Sequence, residues 1–292
     1  MQLLSPVHHE DKTIRLKDGR TLGYAQYGDP KGKTILYFHG GISSRLDIAF
    51  AAKYCSERNI RLIAPDRPGT GISSPRPNRS LLDWYDDIKE LLDHLDIEQV
   101  PLLGWSMAGP YVLACAYKAP DRFTKVGTVG GASPFTDDIK IGHLGLYIDR
   151  VLLTCPKSME GVLSLSLATA SKMPSEVIKW SLENDLRSAS TDHKIIKALS
   201  VADATNFVRE AFKQGPAGVL DDYRAVRDWG FAIEDINVPV HLWHGEQDVL
   251  CPVSMAHHLN ERLPNSSLNI VPDAGHFLLR DNLEHIFHTL MH

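Results

Sequence analysis

A single serine stands among small residues at Gly104-Trp105-Ser106-Met107-Ala108-Gly109, where one apolar run ends and another begins. A serine hydroxyl is a weak nucleophile at neutral pH. It needs a base within hydrogen-bond reach and a third group that orients the base. A sharp strand-to-helix turn of the Gly-x-Ser-x-Gly kind exposes such a hydroxyl, and small flanking residues let the two backbones approach. Here Ala108 takes the place of the last glycine and Gly109 follows. The same six residues also suit a plain packing turn, so their partners must decide between the two readings.

The chain holds 14 histidines, so histidine alone selects nothing. His276 is set apart by position, on a short turn behind Gly275 and after the last expected strand. The candidate acid is Asp248, just beyond an expected strand at 238–245; Asp137 and Asp138, after the preceding strand, are its rivals. Ser106, Asp248 and His276 follow one another in the order Ser, Asp, His. Each comes directly after an expected parallel strand, so all three converge on one edge of a sheet. Acyl transfer also needs donors for a developing oxyanion. The turn His39-Gly40-Gly41 after the strand at 34–40 offers the Gly41 N–H, and the residue after the serine offers the Met107 N–H.

The elements that must position these groups are legible as well. Residues 13–28 form two runs around Asp18-Gly19, a hairpin signal because Asp-Gly readily takes positive φ. Near-continuous apolar runs at 34–40, 60–66, 99–106 and 123–132 predict strands buried on both faces. Helical patterns at 45–59, 80–97 (with Ser80 as cap) and 108–120 lie between them. The alternation breaks between 134 and about 232, where amphipathic helical patterns follow one another without a buried strand. It resumes with strands at 238–245 and 267–276 and helices at 253–263 and 278–291. The expected architecture is α/β, a mostly parallel central sheet with helices on both faces. Residues 1–133 and 233–292 form the core, and 134–232 form a helical cap inserted after the sixth core strand. Such an insertion lies over the carboxyl edge, where open α/β sheets bind ligands.

In combination these segments resemble the α/β-hydrolase superfamily in its capped, serine-hydrolase form. The resemblance is carried by HGGISSR (39–45), APDRPGTGISSP (64–75), GWSMAG (104–109), PVHLWHGEQDVLCP (239–252) and DAGH (273–276), and spans roughly residues 20 to 290. It implies Ser106 as nucleophile, His276 as base, Asp248 as the orienting acid, and Gly41 and Met107 as oxyanion donors. It also implies that Asp66 and Arg67 keep the fold. The implied activity is hydrolysis of a carboxylic ester, thioester or lactone through an acyl-enzyme. Apolar residues of the helical insertion (Leu144, Leu146, Leu152, Leu163, Leu165) point to a small to medium, uncharged substrate, with Trp105 and Tyr147 as candidate contacts. Other serine-triad chemistry on this fold, such as C–C bond hydrolysis or a perhydrolase or haloperoxidase activity, stays open. So does a ligand-binding protein that keeps the fold, because fold does not fix function.

Bulk properties narrow the classes further. A net charge of −5 offers no basic stripe for nucleic acid. No apolar run reaches the roughly 18 residues of a membrane helix, and the first residues lack the basic start and apolar stretch of a secretory signal. Four cysteines without a C-x-x-C pair read as buried free thiols in a reducing compartment, so a cytoplasmic protein is expected. No cofactor is expected: Gly-Thr-Val-Gly-Gly at 127–131 lacks a phosphate-binding lysine. No metal is expected either. His241 and His244 point to opposite faces of a strand, and no carboxylate or cysteine completes a set with His285 and His288.

Overall fold

A computed structural model describes residues 9–136 and 138–292; Asp137, one of the rival acids, lies outside the described residues. Eight strands form one sheet: β1 (His9–Arg15), β2 (Thr21–Gly28), β3 (Lys33–Phe38), β4 (Ile60–Pro65), β5 (Val100–Trp105), β6 (Phe123–Val129), β7 (Val240–Gly245) and β8 (Ser266–Val271). Their spatial order is β1-β2-β4-β3-β5-β6-β7-β8. The β1–β2 hairpin pairs antiparallel, with Ile14 opposite Leu22, and its turn glycine Gly19 sits at φ +88°. Strand β2 is antiparallel to β4, and every pairing from β4 to β8 is parallel.

The continuous apolar runs arise because alternate residues of one strand enter two different cores. In β3, Leu36 and Phe38 join the larger cluster, whereas Ile35 and Tyr37 join the smaller one on the opposite face. Helices α2 (Asp83–His94), α3 (Ala108–Lys118) and α10 (Val253–Arg262) contribute to the first cluster. Helices α1 (Ala52–Glu57) and α11 (Leu283–Met291) cover the second face. Ahead of α2, Ser80 and Asp83 exchange hydrogen bonds: the Asp83 carboxylate accepts from Ser80 N–H at 2.7 Å, and Ser80 Oγ accepts from Asp83 N–H at 3.3 Å. This is a reciprocal capping pair.

Two expected helices are shorter than their patterns. The stretch at 45–59 becomes helical only at Ala49–Ala51 and Ala52–Glu57. Ser43, Ser44 and Arg45 are buried, and Arg45 is committed through its N–H and guanidinium to Asp66, at 2.7 and 2.9 Å. The closing helix starts at Leu283 rather than 278, because Leu278–Arg280 belong to the turn that follows His276.

Between β6 and β7 the chain forms α4 (Tyr147–Thr154), α5 (Glu160–Ala170), α6 (Ser175–Asp185), α7 (Ser190–Ala198), α8 (Val201–Ala211) and α9 (Ala217–Ala225). No strand interrupts this segment among the described residues. Part of it is stitched to the loop after β7. Gly145 N–H donates to Leu250 C=O at 3.1 Å, and a methyl group on Gly145 would sit 2.4 Å from Val249 O. No helix among the described residues is long and apolar enough to cross a membrane.

Candidate active site

Strands β3, β5, β7 and β8 run parallel, so the residues that follow them meet at one edge. Ser106 follows β5 at φ +59°, in the left-handed region that non-glycine residues seldom occupy. Its backbone is fixed from both sides: Ser106 N–H donates to Val129 C=O at 2.8 Å, and its own C=O accepts from Gly109 N–H at 2.9 Å. The glycines around it are required by contact. A methyl group on Gly104 would meet the Ala108 Cβ at 2.9 Å and Val112 Cγ2 at 2.5 Å, and one on Gly109 would meet Gly131 Cα at 3.1 Å. Gly104 therefore makes the room that Ala108 fills, which is how the turn closes with alanine in the last glycine position.

Asp248 and His276 come together after β7 and β8. Asp248 Oδ2 accepts from His276 Nδ1 at 2.8 Å and lies 3.3 Å from His244 Nε2. Its Oδ1 accepts from Leu250 N–H at 2.9 Å and Cys251 N–H at 3.0 Å. Both side chains are buried. Burial alone would push the Asp248 carboxyl up, but the His276 charge and the His244 and His276 hydrogen bonds bring it down to about 2. Burial pulls the His276 imidazole down, and the Asp248 charge and hydrogen bond reverse this, leaving it above its ordinary value. The remaining charges that bear on His276 are Asp192 and Asp149, both carboxylates.

Trp105 completes the support. Its indole N–H donates to His276 C=O at 3.0 Å, and the two rings lie 5.3 Å apart. Burial and the Asp248 charge push the Cys251 thiol up, against the Ser106 hydroxyl, which lowers it. Cys55, Cys115, Cys155 and Cys251 are all free and buried.

Gly41 and Met107 are neighbours across β3 and β5. A methyl group on Gly41 would lie 3.2 Å from Met107 Cβ and 2.6 Å from the Tyr223 hydroxyl. Neither the Gly41 nor the Met107 N–H has a hydrogen-bond partner among the described residues. The loop that presents Gly41 is held from behind by Arg67, whose guanidinium donates to His39 C=O at 2.5 Å and Gly40 C=O at 2.6 Å. Arg67 is itself paired with buried Asp222 at 2.9 Å. Asp66 accepts from Arg45 and from Ile72 N–H at 3.0 Å. Asp66 and Arg67 thus hold the loops on either side of the site. Gly41→Ala keeps the N–H but sets a methyl group against the Tyr223 hydroxyl and so displaces the donor. It is expected to lower activity by about 100-fold, the usual effect of misplacing a catalytic group by an ångström. Steady-state kinetics on the folded variant would check it, and activity within threefold of wild type would remove Gly41 from the site.

Not every expected residue arrives here. Tyr147 is 65% exposed, with Arg150 over its ring. Asp138 is exposed, and among the described residues the side-chain partner of His276 Nδ1 is Asp248 instead. Leu144 and Leu152 are buried in the main core, in the cluster that also holds Met107, and Leu165 is 70% exposed. Four residues at the site carried no sequence signal: His244 beside Asp248, Asp192 on α7, and the α4–α9 pair in which Tyr223 donates to Asp149 at 2.5 Å. Burial pushes the Asp149 carboxyl up to about 6, against the opposing hydrogen bond from Tyr223.

The fold and this edge define the class. The family described as alpha/beta hydrolase fold matches residues 33–283, and the chain belongs to it. Its relatives include named hydrolases. A probable proline iminopeptidase of Leptolyngbya boryana is 24% identical, covering 89% of this chain and 86% of the relative. A 2-hydroxy-6-oxononadienedioate/2-hydroxy-6-oxononatrienedioate hydrolase of Pseudomonas putida is 27% identical, covering 92% and 91%. Among solved structures, a bromoperoxidase from Bacillus anthracis superposes with a TM-score of 0.72 at 22% identity, covering 97% of this chain and 98% of the other. An esterase from Exiguobacterium antarcticum does so with 0.66 at 19%, covering 97% and 98%. These last two likenesses concern the fold.

Proposed function

We propose that the protein is a serine hydrolase that cleaves small to medium, uncharged carboxylic esters, with 134–232 acting as its cap. The observation that carries this reading is the buried Asp248–His276 pair, 2.8 Å apart, at the same sheet edge as a serine held at φ +59°. In the proposed cycle, His276 Nε2 takes the Ser106 proton as Oγ attacks the ester carbonyl carbon. Asp248 holds the tautomer with the proton on Nδ1 and stabilises the imidazolium that forms. The Gly41 and Met107 N–H groups receive the oxyanion. Collapse expels the alcohol, which takes the proton from His276, and leaves an acyl group on Ser106. Water, deprotonated by the same imidazole, then releases the acid and restores the serine.

Charge bears on the substrate. The ionisable groups acting on His276 are carboxylates, namely Asp248, Asp192 and Asp149, so an anionic acyl group meets repulsion close to the reacting carbon. This favours neutral esters over C–C hydrolysis of a dioate, the substrate type printed for the Pseudomonas relative. Nitrophenyl esters from acetyl to dodecanoyl, run beside a succinyl half-ester, test the reading. Multiple turnover of the neutral series with the half-ester at least tenfold slower is expected; cleavage of dioates with no ester turnover would replace it with the C–C reading. The pH profile follows from the base. Activity requires neutral His276, whose titration is raised, so kcat/KM should fall as pH drops through a midpoint above 6.5. A midpoint below 6.5 would mean that the Asp248 pairing does not govern the imidazole.

A further inference from the structure

Asp192 is the third residue of α7, in the helical segment far from the triad in sequence, and is fully buried. Aspartate in a first helical turn ordinarily satisfies N–H groups of its own helix. Asp192 instead reaches across to the loop after β8. Its Oδ2 accepts from His276 N–H at 3.0 Å and its Oδ1 accepts from Phe277 N–H at 3.0 Å. The carboxylate lies flat against the preceding residue, since a methyl group on Gly275 would come within 2.5 Å of both oxygens. Gly275 is thus required by Asp192 and not by its backbone angle, which is outside the left-handed region.

The same helix reaches the loop that carries the acid. Thr191 Oγ1 donates to Gln247 Oε1 at 2.7 Å, next to Asp248, and Gln247 N–H donates to Ala274 C=O at 2.9 Å. A separate small core joins Leu186, Ala189 and Ile196 to Leu250 and Phe277, one residue from each loop. A carboxylate buried without a cation is costly, and only a carboxylate offers two oxygens to two successive N–H groups without bringing a donor against them.

We propose that Asp192 is a positioning residue, through which docking of α7 holds the His276 backbone in register with Asp248. This rests on the reading of His276 as the base. The charge acts in the same direction as the geometry, because Asp192 favours the protonated imidazole that forms during acyl transfer. The other groups that act on His276 are Asp248, with His244 behind it, and Asp149 from α4. Those facing Asp192 are His276 and Asp248.

The test compares wild type with Asp192→Asn and Gly275→Ala. Rates on a nitrophenyl ester are normalised to fluorophosphonate-titrated serine, and the His276 midpoint is read by NMR of labelled imidazole. For Asp192→Asn the expectation is a kcat loss of about 10- to 100-fold, as displacement of a catalytic group by an ångström gives, with KM within threefold and the midpoint moved to lower pH. For Gly275→Ala, which displaces the carboxylate and leaves its charge, the kcat loss should be similar. A wild-type midpoint in Asp192→Asn, or an unchanged normalised kcat in both variants, overturns the proposal. Should Asp192→Asn not fold, Gly275→Ala decides alone by its kcat. Should wild-type Ser106 not be labelled at all, the hydrolase reading fails separately, and the NMR midpoint still decides whether Asp192 acts on His276.

Discussion

Ser106→Ala is expected to remove ester turnover almost completely, with a loss of about 10⁶ in kcat, the scale found when a triad serine is deleted. The hydroxyl has no structural duty to mask this. The hydrogen bonds that fix the turn run through the Ser106 backbone, to Val129 C=O and from Gly109 and Ala132 N–H. Alanine bears the same positive φ as serine, so the strain of the turn is unchanged. Thermal unfolding should therefore move by no more than a few degrees while turnover falls to the residual rate of binding and the oxyanion donors alone. Circular dichroism beside steady-state kinetics checks both halves. Retained turnover in a folded Ser106→Ala protein would assign the chemistry to another group.

Asp248→Asn is expected to cost about 10⁴ in kcat, the penalty of a wrong tautomer. The geometry gives the reason. One oxygen of Asp248 accepts the Leu250 and Cys251 N–H groups, and the other faces His276 Nδ1. An asparagine must keep its oxygen on the two backbone donors, so its NH₂ turns toward His276. The ring then carries its proton on Nε2, facing the serine, and cannot accept another there. The variant should also lower the His276 midpoint, because the charge that raises it is gone. Wild-type Asp248, held down at about 2, contributes stability above its unfolded value near 3.8 that is lost as pH falls toward 2. Acid unfolding of Asp248→Asn should therefore be less steep in that window. A loss of activity confined to Asp138→Asn would assign the acid to the preceding strand instead.

Strand positions and the sheet-edge convergence were legible because they depend on local rules. Alternate residues facing two cores give the apolar runs, and a turn behind each strand gives Ser106, Asp248 and His276 a common edge. Chain order does not separate Asp248 from Asp138, since both fall between Ser106 and His276. The resemblance implies Asp248, and the structure places Asp248 against His276 while Asp138 is exposed. The overextended helix at 45–59 shows where local rules stop. Its apolar pattern is real, but Arg45 is drawn off by Asp66 and Asp11. Asp192 and Tyr223 are beyond local reading altogether. Each looks like an ordinary helical residue until the segment between β6 and β7 packs onto the sheet edge. Tyr147 fails in the opposite sense: an aromatic residue in an apolar helix suggests a pocket, yet it faces outward.

The central claim is that Ser106 carries an acyl group between two half-reactions. Rapid acid quench during turnover of nitrophenyl acetate, followed by peptide mass spectrometry, tests it most directly. The account predicts one acetyl group per chain, located on Ser106, forming with the first equivalent of nitrophenol and absent from Ser106→Ala. Sustained nitrophenol release with no acyl group on Ser106 at any quench time would contradict it.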